Sequence, residues 1–327
     1  MNVEHRNELL SEQVTDEVLK AHHCLEAVDR VSRDPDTTQF KQTARLLQAL
    51  WREARGIEIG SQPMREIAGK PSRPLGSRIR LEAARTTGAN FLSARVRQEV
   101  EKRIRNPQPH QTLDEDRLYA DLLSSMPMCF NLFGELASDL SLADTAVHTW
   151  WPNTPGTVAA VEFEWSPGRR LSGEYLENRS AFDVAFIMDM GGGKKGVLGI
   201  ETKYHEDCKA EGRPSEERIK RYSEVTRESG VMSQHAMESI LGTDLQQIWL
   251  DHLLAESMPL HASGAWAWAK FVLVHPEKNP SYARAAERYR ALLSRQATFE
   301  VRTIESLLDA DVLSGTMSAA FRQRYLW

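Results

Sequence analysis

Apolar positions recur at helical spacing through the first third of the chain, and alternation typical of strands appears only later. Val18, Leu19, Leu25, Val28 and Val31 share one helical stripe. After the break at Arg33-Asp34-Pro35-Asp36, the residues Phe40, Ala44, Leu47, Ala49, Leu50 and Trp51 predict a second helix. A Pro/Gly-rich irregular stretch follows over 60–76, and then a further helix over 78–105. From about residue 118 the pattern becomes α+β. Helices are predicted over 118–125 and 128–140, separated by Pro127. Strands are predicted over 158–165, 182–190 and 196–205, the last two joined by Gly191-Gly192-Gly193-Lys194-Lys195, a hairpin turn. Next come a charged helix or loop over 213–228 and an amphipathic helix over 244–256, with Leu245, Ile248, Trp249 and Leu253 on its apolar side. A short apolar strand over 268–274, a helix over 281–294 and an edge strand over 299–304 close the chain. The expected organisation is a helical extension, 1–117, ahead of an α/β (α+β) core, 118–327.

Charge adds one feature that the apolar pattern lacks. The chain of 327 residues has 41 Lys and Arg against 46 Asp and Glu, a formal net charge of −5. That balance excludes a wholly basic coat protein but not a nucleic-acid enzyme, which needs local positive charge. Residues 62–105 hold eleven basic and four acidic side chains, whereas 106–165 hold Arg117 against nine carboxylates. Two readings stand side by side. The basic segment pairs with the acidic one in the fold, or it forms an arm that grips phosphates through Lys70, Arg73, Arg78 and Arg80. Three scattered cysteines, Cys24, Cys129 and Cys208, point to a reducing cytoplasm rather than a disulfide framework. Neither a signal peptide nor a membrane span is expected.

Candidate chemistry concentrates in the hairpin 182–205. Period-2 alternation puts Val197, Gly199, Glu201 and Lys203 on one face, opposite Leu198, Ile200, Thr202 and Tyr204. On the other strand Asp183, Ala185 and Ile187 share a face, opposite Phe182, Val184, Phe186 and Met188. A register that pairs Asp183 with Glu201 or Lys203 gathers these three into one cluster, with Ala185 and Gly199 leaving room for a ligand. Two adjacent carboxylates repel, and one lysine offsets only part of their charge. A hard divalent cation, Mg²⁺ with Mn²⁺ as a substitute, resolves the conflict and suits phosphodiester hydrolysis.

Asp183, followed after seventeen residues by Glu201-Thr202-Lys203, resembles the PD-(D/E)XK phosphodiesterase superfamily, whose restriction endonucleases and repair exonucleases share an αβββαβ core. The predicted element order fits that core. Ser125-Met126-Pro127-Met128-Cys129-Phe130-Asn131-Leu132-Phe133-Gly134 and Glu164-Trp165-Ser166-Pro167-Gly168-Arg169 are similar to phrases of a bacterial family described as restriction endonucleases, as are Arg179-Ser180-Ala181-Phe182-Asp183 and Gln246-Gln247-Ile248-Trp249. The resemblance implies a nuclease with Asp183, Glu201 and Glu135 as metal ligands and Lys203 assisting the attacking water. It also implies a glutamine, Gln246 or Gln247, from the second core helix. The proline of the family motif is Phe182 here. DNA is the expected substrate, with RNA cleavage and a non-catalytic binding role as alternatives, and a homodimer is left open. Of Glu162 and Glu164, one reaches the site or both sit on an exposed face. His205 with Cys208 lacks a second pair at zinc spacing, and the glycine triplet lacks P-loop spacing, so neither carries a site.

Overall fold

The computed structural model describes residues 9–10, 14–62, 73–107, 111, 113–168, 172–176 and 178–327. The stripe at 18–31 ends early. Helix α1 spans Asp16–Ala21, Leu25 lies beyond it, and Val28 sits 58% exposed on a single 3-10 turn. Helix α2, Pro35–Ala54, begins where the break predicts, because Asp34 caps the Thr37 amide and Pro35 occupies the first turn, where no N–H is needed. Where it is described, the irregular stretch is bounded by a two-stranded antiparallel hairpin, β1 (Ile59–Ser61) and β2 (Pro74–Ile79).

The helix expected over 78–105 is three elements. Its first residues complete β2, and Gly88 then ends α3 (Leu81–Thr87) in the left-handed conformation, φ 65°. Ser93 caps α4 (Ala94–Arg105). The next predicted helix is shorter, α5 over Glu115–Ala120. Ser124 then caps α6, Ser125–Ala137, so Pro127 lies inside the first turn rather than before the helix. Asp139 caps a further helix that the pattern missed, α7 over Leu140–Trp150.

The sheet has five strands in chain order: β3 (Thr157–Trp165), β4 (Phe182–Asp189), β5 (Lys195–Thr202), β6 (Trp266–His275) and β7 (Phe299–Thr303). The pairs β3–β4 and β4–β5 are antiparallel, while β5–β6 and β6–β7 are parallel. Gly191, Gly192 and Gly193 all have positive φ, so this turn requires glycine. Between β5 and β6 lie α8 (Glu216–Ser229), α9 (Gln234–Ile240) and α10 (Gln246–Ser257). After them come α11 (Pro280–Leu292), α12 (Ile304–Asp309) and α13 (Gly315–Tyr325). The αβββαβ order is therefore α6, β3, β4, β5, α10 and β6, with the remaining helices inserted or appended.

β5 is central and buried on both faces, as a strand flanked on each side by helices must be. Leu198 and Ile200 pack with Val184, Phe186 and Met188 against α6, while Val197 and Ala185 join Trp249, Leu253 and Phe271 on the α10 side. The first of these clusters also takes in Ala44, Trp51, Ile79, Val96 and Val100, so one core joins residues on both sides of position 117. At its edge Arg324, fully buried, donates to the Asn90 carbonyl and side chain and lies between the rings of Trp51 and Tyr325.

Candidate active site

The sheet register builds the site. Val184 faces Ile200 and Ala185 faces Gly199, so the same register continued by one residue sets Asp183 opposite Glu201. Beyond Val184 the two strands part, and the Thr202 amide and hydroxyl both donate to Asp183 Oδ2, at 2.8 and 2.6 Å. The separation turns Phe182 onto the face opposite to the one alternation assigns. Its ring covers Gly199, where an added Cβ would meet it at 2.5 Å. The space expected for a ligand beside Gly199 is therefore filled by Phe182, and the ligand space lies elsewhere.

That space is a cavity of about 370 Å³ lined by Glu164, Arg179, Ser180, Ala181, Asp183, Glu201, Glu211, Gln247, Leu250 and Asp251. Lys203 adjoins it, with Nζ 2.7 Å from Glu201 Oε1. The same oxygen accepts from Gln247 Nε2 at 3.1 Å. Each carboxylate thus has one committed oxygen, while Asp183 Oδ1 and Glu201 Oε2 have no hydrogen-bond partner among the described residues. Gln246 turns away and spans Glu211, the Gly212 carbonyl and the Gly242 amide.

Electrostatics shows a shortage of positive charge. Burial, together with the neighbouring Asp183 carboxylate, pushes Glu201 up to about 7 despite its contact with Lys203. Burial also raises Asp183, against the pull of Lys203 and the Thr202 hydrogen bonds. Burial pulls the Lys203 ammonium down, but Glu201 and the other surrounding oxygens outweigh it and hold the group well above its ordinary value. Lys203 stays protonated. Since folding raises the Glu201 value from 4.5 to about 7, the folded state binds more protons in that window, and stability falls as pH rises through it. In EDTA, thermal melts of Glu201→Gln and the parent should therefore lie close together at pH 5. By pH 8 the variant should melt several degrees higher. A gap that does not widen with pH would contradict this.

Other candidates fall differently. Glu135 does not line the cavity. Helix α6 approaches at Cys129, whose buried thiol is raised by burial and by the charges of Asp183 and Glu164. Glu135 lies six residues further, about 9 Å along the helix axis. Glu164 does line the cavity, whereas Glu162 pairs with Arg103 at 3.2 Å. Glu164 holds φ 48°, a left-handed conformation that costs a non-glycine residue about 1 kcal/mol and that clusters at functional sites. Asp251 escaped the sequence reading. Its spacing of four from Gln247 on α10 was the available signal, since it puts both on one face.

The basic segment is largely spent on ion pairs. Arg78 is buried against Asp116 and Asp121, Arg73 meets Glu26, and Arg80 meets Glu58 and Glu82. Arg85 reaches Glu115 at 3.0 Å. Pairing with the acidic stretch accounts for Arg78 and Arg85, and Arg73 and Arg80 have carboxylate partners of their own. Lys70 and Arg169 lie outside the described residues. A larger cavity of about 520 Å³, between α2 and residues 205–209, contains neither Asp183 nor Glu201. Helix α2 holds the segment that follows Lys203. Lys41 Nζ is 2.6 Å from Asp207, Gln48 donates to the Tyr204 hydroxyl, and Asp29, held by Arg45, lies 2.9 Å from His205.

A family profile described as the PD-(D/E)XK nuclease superfamily matches residues 34–327. The chain belongs to this superfamily. No curated protein and no solved structure matches it. PD-(D/E)XK nucleases typically use divalent metal ions, and the donor set here fits one. Among the described residues no three His, Cys, Asp or Glu side chains form a ready-made cage. Two carboxylates with one free oxygen each, in a polar cavity short of positive charge, instead suit a hard ion that keeps several of its waters. The match begins at residue 34, inside the cap of α2, so the PD-(D/E)XK profile includes the helix that holds the segment after Lys203.

Proposed function

We propose that the protein is a Mg²⁺-dependent nuclease that hydrolyses phosphodiester bonds in DNA, with Mn²⁺ able to substitute. The observation that carries this reading is the joint burial of Asp183, Glu201 and Lys203, with Asp183 Oδ1 and Glu201 Oε2 left uncommitted. A bound divalent ion supplies charge to the phosphoryl oxygens and lowers the pKa of a coordinated water. The protein's own groups do the rest. Asp183 and Glu201 are the ion's ligands, and the two Thr202 hydrogen bonds fix Asp183 before the ion arrives. Lys203, held protonated, cannot take the proton of the attacking water. It faces the phosphate and stabilises the charge that develops on it. Gln247 holds Glu201 in position from α10.

The test is incubation of the pure protein with plasmid, linear and single-stranded DNA and with RNA, in Mg²⁺ or Mn²⁺ and in EDTA. DNA is expected to be cut with either ion and to survive in EDTA. Cleavage of RNA alone would replace the substrate assignment, and cleavage of nothing would leave a nucleic-acid-binding role.

A further inference from the structure

Asp251 is 5% exposed, and neither of its oxygens has a hydrogen-bond partner among the described residues. Leaving one buried polar group unsatisfied costs about 1–3 kcal/mol, and more for a charge. Nothing in the helix backbone requires an aspartate there, and Leu250 next to it lines the same cavity without that cost. The position therefore looks built for a ligand that compensates it, and its surroundings indicate which kind. Burial and the carboxylates of Glu201, Asp183 and Glu211 all disfavour a charged Asp251, and Lys203 opposes them only in part. The missing partner is a cation.

Charge counting indicates how many. Five carboxylates line the cavity, Glu164, Asp183, Glu201, Glu211 and Asp251, against the two cations Arg179 and Lys203. One divalent ion leaves the site negative, which would repel a phosphodiester. A second makes it singly positive, the complement of one phosphodiester charge.

We propose that Asp251, together with the uncommitted oxygen of Glu201, holds a second divalent cation beside the position of Asp183 and Glu201. Gln247, one turn before Asp251, favours this by occupying Glu201 Oε1 alongside Lys203, which leaves Oε2 to be shared. Two carboxylates are enough for an ion that keeps most of its waters. This inference rests on the metal-dependent reading above and adds the number of ions and the residue that holds the second.

The test is a Mn²⁺ titration of the full chain at pH 8, followed by the electron paramagnetic resonance of free Mn²⁺. The parent should bind two ions and Asp251→Asn one. In EDTA, Asp251→Asn should melt no lower than the parent, since an uncompensated buried charge has been removed, and Asp251→Leu provides a second variant in case the amide finds a new partner. Two ions in both parent and variants would overturn the Asp251 position while leaving the metal-dependent reading intact. One ion in the parent would overturn the second site alone. No bound ion in the parent would overturn both readings together.

Discussion

Asp183→Asn should lower Mg²⁺-dependent DNA cleavage about a thousandfold, equivalent to about 4 kcal/mol of transition-state stabilisation. The substitution is nearly isosteric, and the change in charge is the point. The Thr202 amide and hydroxyl both donate to Oδ2, so an amide oxygen can keep that anchor while the ligand charge is lost. Folding should survive, because burial already disfavours the ionised carboxyl. Lys203→Ala should cost about 10²–10³-fold, the range for removing a preorganised charge that acts on the transition state. The double variant should be scarcely slower than Asp183→Asn, since groups that act as a unit are not additive. Single-turnover rates on one DNA substrate check all three. Unchanged cleavage in Asp183→Asn would remove this hairpin from the chemistry.

The largest expected effect on stability lies away from the site. Arg324→Ala should destabilise the fold by about 4 kcal/mol, the cost of breaking a fully buried charged network by removing one partner. The guanidinium donates to both the backbone carbonyl and the side chain of Asn90 and approaches Gln48 Oε1. It also lies 4.5 Å from the Trp51 ring and 4.6 Å from that of Tyr325. Asn90 in turn donates to the Leu118 carbonyl, and Asn131 reaches both the Asn90 carbonyl and the Tyr325 hydroxyl. Truncation therefore leaves several acceptors and two aromatic faces without a partner in a dry interior. Urea titration with the midpoint and slope reported separately measures the loss. Arg324→Lys should recover only part of it, because a point charge cannot replace a planar fork.

Alternation and turn chemistry made the hairpin legible, because the apolar residues of β4 and β5 leave few registers that bury them. The same reasoning misplaced Phe182. It could not see that the Asp183 side chain takes the Thr202 amide and opens the strands at that point. The choice between Gln246 and Gln247 needed the helix phase, which two adjacent glutamines do not reveal. Asp251 was invisible for a similar reason, since a lone aspartate on a helix ordinarily faces water. The basic segment misled through its count. Net charge along a sequence says nothing about which arginines find carboxylates, and Arg78 finds two. The missed break in 78–105 lay at Gly88, whose left-handed geometry could have been read as a helix stop.

The contacts between α2 and the stretch after Lys203 bear on how such a chain can change over time. Lys41 with Asp207, Gln48 with Tyr204, and Asp29 with His205 join residues more than 150 positions apart. A recombination event that spliced an unrelated leader onto the sheet would strand Asp207 and His205 together, next to the strand that bears the nuclease motif. Single substitutions at either end face the same obstacle, so Lys41 and Asp207 should drift as a pair or not at all. The helix at the front of the chain and the strand at its centre are inherited as one piece.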